Sequence, residues 1–255
     1  MKYLSFWPVR LILLAMLASR ADAAQEVLTV AVAANVQFAF AELQADFTRT
    51  TGVGVRTVLG SSGKLTAQIE RGAPFDVFLS ADMRYPEALY RTGRAAGPPE
   101  VYAYGALVLW TMDALDLGPG LKVLADDRVS RFALADPDLA PYGRAALEAL
   151  EHDGLTRKVM PKAVFGENIS QVDQYVYSKN VTAGFTAKSV VLSPAMRGKG
   201  SWVAVAQDAY GPIAQGVVIL KRGDAAVSAA ATRFLDYLRS GPARAILVRY
   251  GYRLP

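Results

Sequence analysis

Cysteine is absent from the 255-residue chain, and histidine occurs once. Without a thiol there is no disulfide, no thiolate nucleophile and no cysteine-ligated metal, and one imidazole cannot build a His-rich zinc site. That histidine, His152, stands in Glu151-His152-Asp153-Gly154, which reads as a solvated residue at a helix end in preference to a catalytic base. Charge is sparse as well: 20% of residues are charged, and no Lys/Arg block marks a nucleic-acid partner. No apolar run approaches the ~20 residues of a membrane span. Internal repeats, low-complexity tracts and long Pro/Gly linkers are missing too, which excludes a disordered chain or a string of independent domains.

At the N-terminus, Lys2 and Arg10 precede the eight-residue apolar run Leu11-Ile12-Leu13-Leu14-Ala15-Met16-Leu17-Ala18, and Ala21-Asp22-Ala23 follows it. A charged region, a short apolar region and a small-x-small signal, in that order, make residues 1–24 a secretory signal peptide. The mature chain is therefore expected outside the cytoplasm and not embedded in a membrane. Removing Lys2, Arg10, Arg20 and Asp22 leaves 25 basic against 22 acidic side chains, a net charge of about +3.

What remains is an alternation of strands and helices. Leu28-Thr-Val-Ala-Val-Ala33 reads as a buried strand, and Val36, Phe40, Leu43 and Phe47 then recur at helical spacing. Val53 to Leu59, a helix through Leu65 and Ile69, and the strand Phe75 to Leu79 complete a β-α-β-α-β unit. Val101 to Thr111 reads as one long extended element and Phe132 to Ala135 as a strand. Pro141-Tyr142-Gly143 opens a helix, as Pro at a helix start allows. Further strands are expected at Lys162 to Phe165, Ala183 to Ala187 and Ala214 to Lys221, and a helix capped by Asp224 precedes a last helix ending at Gly251. This pattern predicts an α/β protein with mainly parallel sheets. About 230 residues are generous for one core, so two lobes sharing crossover strands are expected. The expected crossings lie near Tyr104-Gly105 and Gly211-Pro212, giving one lobe from 25–104 with 212–255 and another from 105–211.

Four strand-to-helix junctions carry neutral polar or small residues: Ala34-Asn35, Ser61-Ser62-Gly63, Pro141-Tyr142-Gly143 and Asn168-Ile169-Ser170. A helix start presents N–H donors and the positive end of the dipole, so it binds anions without a formal charge. In α/β folds such ends face the ligand crevice. The same residues also cap helices for stability alone, at about 1 kcal/mol each. Two enzyme readings compete for them. Ser61-Ser62-Gly63-Lys64 fits the S-x-x-K acylation motif and Ser178-Lys179-Asn180 imitates its second element, but Lys221-Arg222-Gly223 breaks the third. A phosphate-binding P-loop fails, because Leu65 follows Gly63-Lys64 and Val58 stands where a glycine is required. A ferric-ion carrier would use tyrosinates, for which the pairs Tyr102/Tyr104 and Tyr175/Tyr177 are candidates.

Seven ordered blocks together are more specific than any one of them: AANVQFAFAELQADF, GSSGKLTAQIERGAPFDVFLSAD, ADPDLAPYGRAALEAL, ENISQV, VTAGFTAKS, YGPIAQGVVIL and LDYLRSGPARAILVRYGY. Over Leu28 to Pro255 the chain resembles the periplasmic molybdate-binding proteins of ABC transporters. The resemblance implies a type II periplasmic binding fold of two α/β lobes, with a ligand cleft between them that closes on a molybdate or tungstate dianion. It implies no catalysis and no cofactor, a monomeric carrier, and delivery to an ABC transporter permease. Carried over by position, Ala34 and Asn35 would bind from the first junction and Ser61 and Ser62 from the second. Tyr142 and Ile169 would bind from the other lobe, mainly through backbone N–H groups. Some family members have Ser in place of Asn35, and some place a ligand Tyr where this chain has Ala187. Lys64 is expected to be solvated.

Overall fold

The computed structural model describes residues 26–222 and 227–255. The expected signal peptide, Gly223 and the expected cap Asp224 lie outside the described residues. In chain order the regular elements are β1 (Val27–Ala33), α1 (Gln37–Thr51), β2 (Gly54–Gly60), α2 (Ser62–Glu70), β3 (Val77–Ser80), α3 (Arg84–Arg91), β4 (Glu100–Gly105), β5 (Leu107–Thr111), β6 (Phe132–Ala135) and α4 (Pro141–His152). They continue with α5 (Thr156–Val159), β7 (Ala163–Gly166), α6 (Ile169–Tyr177), β8 (Ala183–Ala187), α7 (Lys188–Val191), β9 (Ser201–Ala204), β10 (Ile213–Ile219), α8 (Ala229–Arg239) and α9 (Gly241–Arg249). A single 3-10 turn, Ala34–Val36, joins β1 to α1.

The strands form two five-stranded sheets, ordered β2-β1-β3-β10-β4 and β7-β6-β8-β5-β9. In the first, β2, β1 and β3 are parallel, as βαβ alternation dictates, while β10 runs antiparallel to β3 and β4. The second repeats the plan, with β7, β6 and β8 parallel and β5 antiparallel to β8 and β9. Each sheet is thus mixed: βαβ units supply the parallel strands, and the crossovers add the antiparallel ones.

Period-2 alternation explains how both faces of the first sheet are covered. Val30, Val32, Val77, Leu79 and Val217 face a core with α1, α8 and α9, where the Phe47 and Phe234 rings meet edge to face at 5.1 Å. Ala31, Phe78 and Val218 face the other way, onto Leu65, Ile69 and Leu89 of α2 and α3. The second sheet has its own core around Trp110, Phe132, Leu134 and Phe185. The run Val101 to Thr111, expected as one element, is two strands in different sheets separated by Ala106 alone. Burial keeps both halves apolar, so the composition does not register the change of sheet. The chain returns to the first sheet between Ala204 and Ile213. Asp224 aside, the helix before α9 begins at Ala229 with Ser228 as its cap residue. Among the described residues, no helix is long and apolar enough to cross a membrane.

Candidate functional site

The parallel registers set the four junctions level. Ala33, the last residue of β1, pairs with Gly60, the last of β2, and Ala135 of β6 pairs with Gly166 of β7. After these ends come the 3-10 turn at Ala34, α2 at Ser62, α4 at Pro141 and α6 at Ile169. Ala34, Asn35, Ser61, Ser62, Tyr142 and Ile169 all line one cavity between the sheets, with Ala33, Gly60, Ala81, Ala140, Pro141 and Asn168. All six are at most 3% exposed, and none of the twelve lining residues carries a charge. The space open to the centre of a water-sized sphere is about 10 Å³, enough for about one water and equivalent to a void roughly 2.7 Å in radius. That suits one compact ion.

The donors follow from the local folding. The first N–H groups of each helix have no acceptor within the helix, and here the helix starts converge on the cavity. Ser61 caps α2 by accepting from the Lys64 N–H at 3.4 Å, and Ser62 Oγ accepts from the Ala81 N–H at 3.0 Å. A hydroxyl that accepts still has a proton to donate, so both serines can add O–H donors to the backbone ones. Asn168 caps α6 by accepting from Gln171 N at 3.1 Å. Gly143 is required where α4 presses on the end of β6, since a Cβ there would stand 2.1 Å from the Ala135 carbonyl oxygen.

Asn35 is placed differently from a simple side-chain donor. Its Nδ2 donates to Gln215 Oε1 at 2.7 Å and to the Tyr252 hydroxyl at 3.2 Å, so its NH2 is engaged behind the cavity wall and its backbone N–H is what the junction can offer. Tyr142 contributes its position in the first turn of α4, while its ring runs back to end against Gly105. Burial, then the neighbouring tyrosines 252, 102 and 210, push its hydroxyl well above the usual phenol range, so it stays protonated. Gln215 and Tyr252 were not among the residues expected from sequence. A glutamine inside the apolar strand Ile213–Ile219 is the signal that could have found the first.

The two lobes touch around the cavity. Gly63 N donates to Leu139 O at 2.9 Å, Tyr85 OH to Asp138 O at 3.1 Å, Ser170 Oγ to Gln37 Oε1 at 2.9 Å and Ser189 Oγ to Asn35 O at 2.7 Å. Arg144 forms an ion pair with Asp82, whose carboxyl is raised by burial against the pull of Arg144 and Arg84. Lys64, expected to be solvated, is half exposed and also reaches across to Glu167 at 2.8 Å, the side chains being 50% and 39% exposed. Tyr102 is buried in the first lobe's core, Tyr175 packs on the second, and Tyr177 is exposed, so the tyrosine pairs do not form one ligand set. Among the described residues no cluster of three or more His, Asp or Glu could hold a metal. His152 is the last residue of α4, 3.1 Å from Asp153 and half exposed.

One ionisable group is buried close by. Asp173, 4% exposed, lies one turn along α6 from Ile169. Thr186 donates to its Oδ1, and Oδ2 has no partner among the described residues. Burial pushes its carboxyl up to about 7, against the opposing Thr186 hydrogen bond.

Two α/β lobes meeting over a small neutral cavity of convergent helix starts are the architecture of a solute-binding protein. The chain belongs to the bacterial extracellular solute-binding proteins, whose family model matches residues 28–253. It is 42% identical to the molybdate-binding protein ModA of Rhodobacter capsulatus, over 90% of this chain and 89% of that one. It is 38% identical to the protein of the same name from Azotobacter vinelandii, over 94% of each. The solved Azotobacter vinelandii periplasmic molybdate-binding protein superposes with a TM-score of 0.84 at 35% identity, covering 89% of this chain and 99% of that one.

Proposed function

We propose that this chain is a periplasmic carrier that captures molybdate, or tungstate, and delivers it to the permease of an ABC importer. The observation that carries the reading is the convergence of four helix starts and two serine hydroxyls on one buried cavity without a charged side chain. Ala34, Asn35, Ser62, Tyr142 and Ile169 would donate backbone N–H groups, and Ser61 and Ser62 their hydroxyls. The relatives named above support molybdate as the ligand. Residues 1–24 would direct export and be removed. The lobes, 25–104 with 212–255 and 105–211, would open and close about the two crossovers, and the carrier would act as a monomer.

The mechanism follows from the donor set. A dianion enters the open cleft, dipoles replace its hydration shell, and closure buries it. Release strands no buried counter-charge, because none is present. Sulfate shares charge and shape with molybdate, so discrimination falls to cavity size. Singly protonated phosphate would have to place its O–H against backbone N–H groups that only donate, at the expense of the hydrogen bonds that hold a fully deprotonated dianion.

Thermal unfolding with molybdate, tungstate, sulfate and phosphate in turn tests this. A ligand at about 1,000 times its Kd adds about 4 kcal/mol, and in a chain of this size each kcal/mol moves the midpoint by roughly 2–4 °C. A rise of about 10 °C with molybdate or tungstate and none with sulfate is expected. No shift with any of the four removes the assigned ligand.

A further inference from the structure

Gln215 lines no part of the cavity, yet two of its four junctions hang on it. It is fully buried on β10, at the irregular step in the pairing with β4, and such bulges re-aim side chains. Its Oε1 accepts from Asn35 Nδ2 at 2.7 Å. Its Nε2 donates to Ala81 O at 3.1 Å and to Ile213 O at 3.3 Å. The Ala81 N–H in turn holds Ser62 Oγ at 3.0 Å.

The direction of this network is forced. The carbonyls of Ala81 and Ile213 can only accept, so the Gln215 NH2 must face them. Its Oε1 must then face Asn35, and the Asn35 NH2 must turn toward it. One carboxamide therefore orients Asn35 at the first junction and, through Ala81, Ser62 at the second. It does so from the strand by which the chain re-enters the first lobe, so site and crossover share one residue.

We propose that Gln215 is a positioning residue for oxyanion binding, fixing the Asn35 and Ser62 junctions in the geometry that grips the ligand. The proposal rests on the oxyanion reading above. A merely structural amide and a positioning one differ in what a carboxyl at this place would do. In Gln215→Glu, the protonated acid keeps an acceptor for Asn35 and an O–H donor for Ala81. The ionised acid has no donor for Ala81 and adds a negative charge behind the wall that holds the dianion. Burial among carbonyls raises a carboxyl above its usual range, so lower pH favours the protonated form and higher pH the ionised one.

The test is the Kd for molybdate by calorimetry, for wild type, Gln215→Glu and Gln215→Met, at pH 5.5 and pH 8, with ligand-free unfolding midpoints as the control for folding. The Glu variant is expected within threefold of wild type at pH 5.5 and more than tenfold weaker at pH 8, and the Met variant more than tenfold weaker at both. A Glu-to-wild-type ratio that does not change with pH, or a Met variant that binds as wild type does, overturns the proposal. Wild type that binds neither molybdate nor tungstate overturns the oxyanion reading and this proposal with it. If neither variant folds, amide proton exchange in ligated wild type decides: the Asn35 side-chain NH2 is expected to be strongly protected, and exchange at the rate of a free amide overturns the assignment.

Discussion

Asp173 makes the stability of this protein depend on pH in a direction opposite to that of most carboxylates. Its carboxyl titrates near 7 in the folded chain and near 3.9 when unfolded. Between those values the folded state holds a proton that the unfolded state has released, so stability falls as pH rises from about 4 to about 7. Three pH units at about 1.4 kcal/mol each give a loss on the order of 4 kcal/mol. Asp173→Asn keeps the oxygen that accepts from Thr186 and does not titrate. Other groups titrate alike in both proteins and cancel in the difference. The variant's thermal midpoint, measured by circular dichroism without ligand, should therefore gain on wild type as pH is raised. The gain between pH 4 and pH 8 should be roughly 8–16 °C at 2–4 °C per kcal/mol. A difference in midpoints that stays flat over that range would refute the reasoning, because it would mean that Asp173 is ionised or solvated in the folded chain.

Three further substitutions probe the grip and the closure. Ser62→Ala removes a hydroxyl from the cavity and the acceptor of the Ala81 N–H, and calorimetry should show molybdate affinity falling roughly 10- to 100-fold, as for one hydrogen bond to a charged ligand. Gly63→Ala puts a Cβ 2.9 Å from the Tyr85 hydroxyl and 3.1 Å from Leu139 of the opposite lobe, so the Tyr85 side chain must shift, while alanine favours α2 by about 1 kcal/mol; affinity should drop about tenfold with little change in the ligand-free midpoint, and unchanged affinity would mean that this contact is no part of the bound form. Glu167→Gln breaks a half-exposed pair with Lys64 worth about 0.2–1 kcal/mol, so affinity should fall at most about fivefold, with the difference gone near 1 M salt, where screening reaches about 3 Å.

How much of this was legible in the sequence depended on how local the information was. A strand end followed by a helix start is written in adjacent residues, so Ala34, Ser61, Ser62, Tyr142 and Ile169 could be picked before any coordinates, and the structure brings them to one cavity. The partners that orient them are distant: Gln215 and Tyr252 lie 180 and 217 residues from Asn35, and Glu167 lies 103 from Lys64. No periodicity encodes a contact at that separation. Strand β9 was missed for a different reason. It is an edge strand with mostly exposed residues, so it lacks the apolar alternation that marks a buried one. The helix Arg84–Arg91 carries Pro86 in its first turn, which reads as a turn unless the helix start is already known.

The placement of charge yields one more expectation. Inside the cavity there is none, whereas Lys64–Glu167 and Arg144–Asp82 stand outside it, each a cation and an anion from opposite lobes. Paired charges of this kind favour closure but contribute little net field at the ligand. The net charge of residues 25–255, about +3, is also small. The grip on a dianion must then come from short-range dipoles in a dry site, which salt does not screen, and only the weak long-range attraction should respond to ionic strength. Raising salt from 50 to 500 mM should weaken molybdate binding less than about threefold. A loss beyond tenfold would mean that charged side chains carry the binding, and the neutral cage could not be its basis.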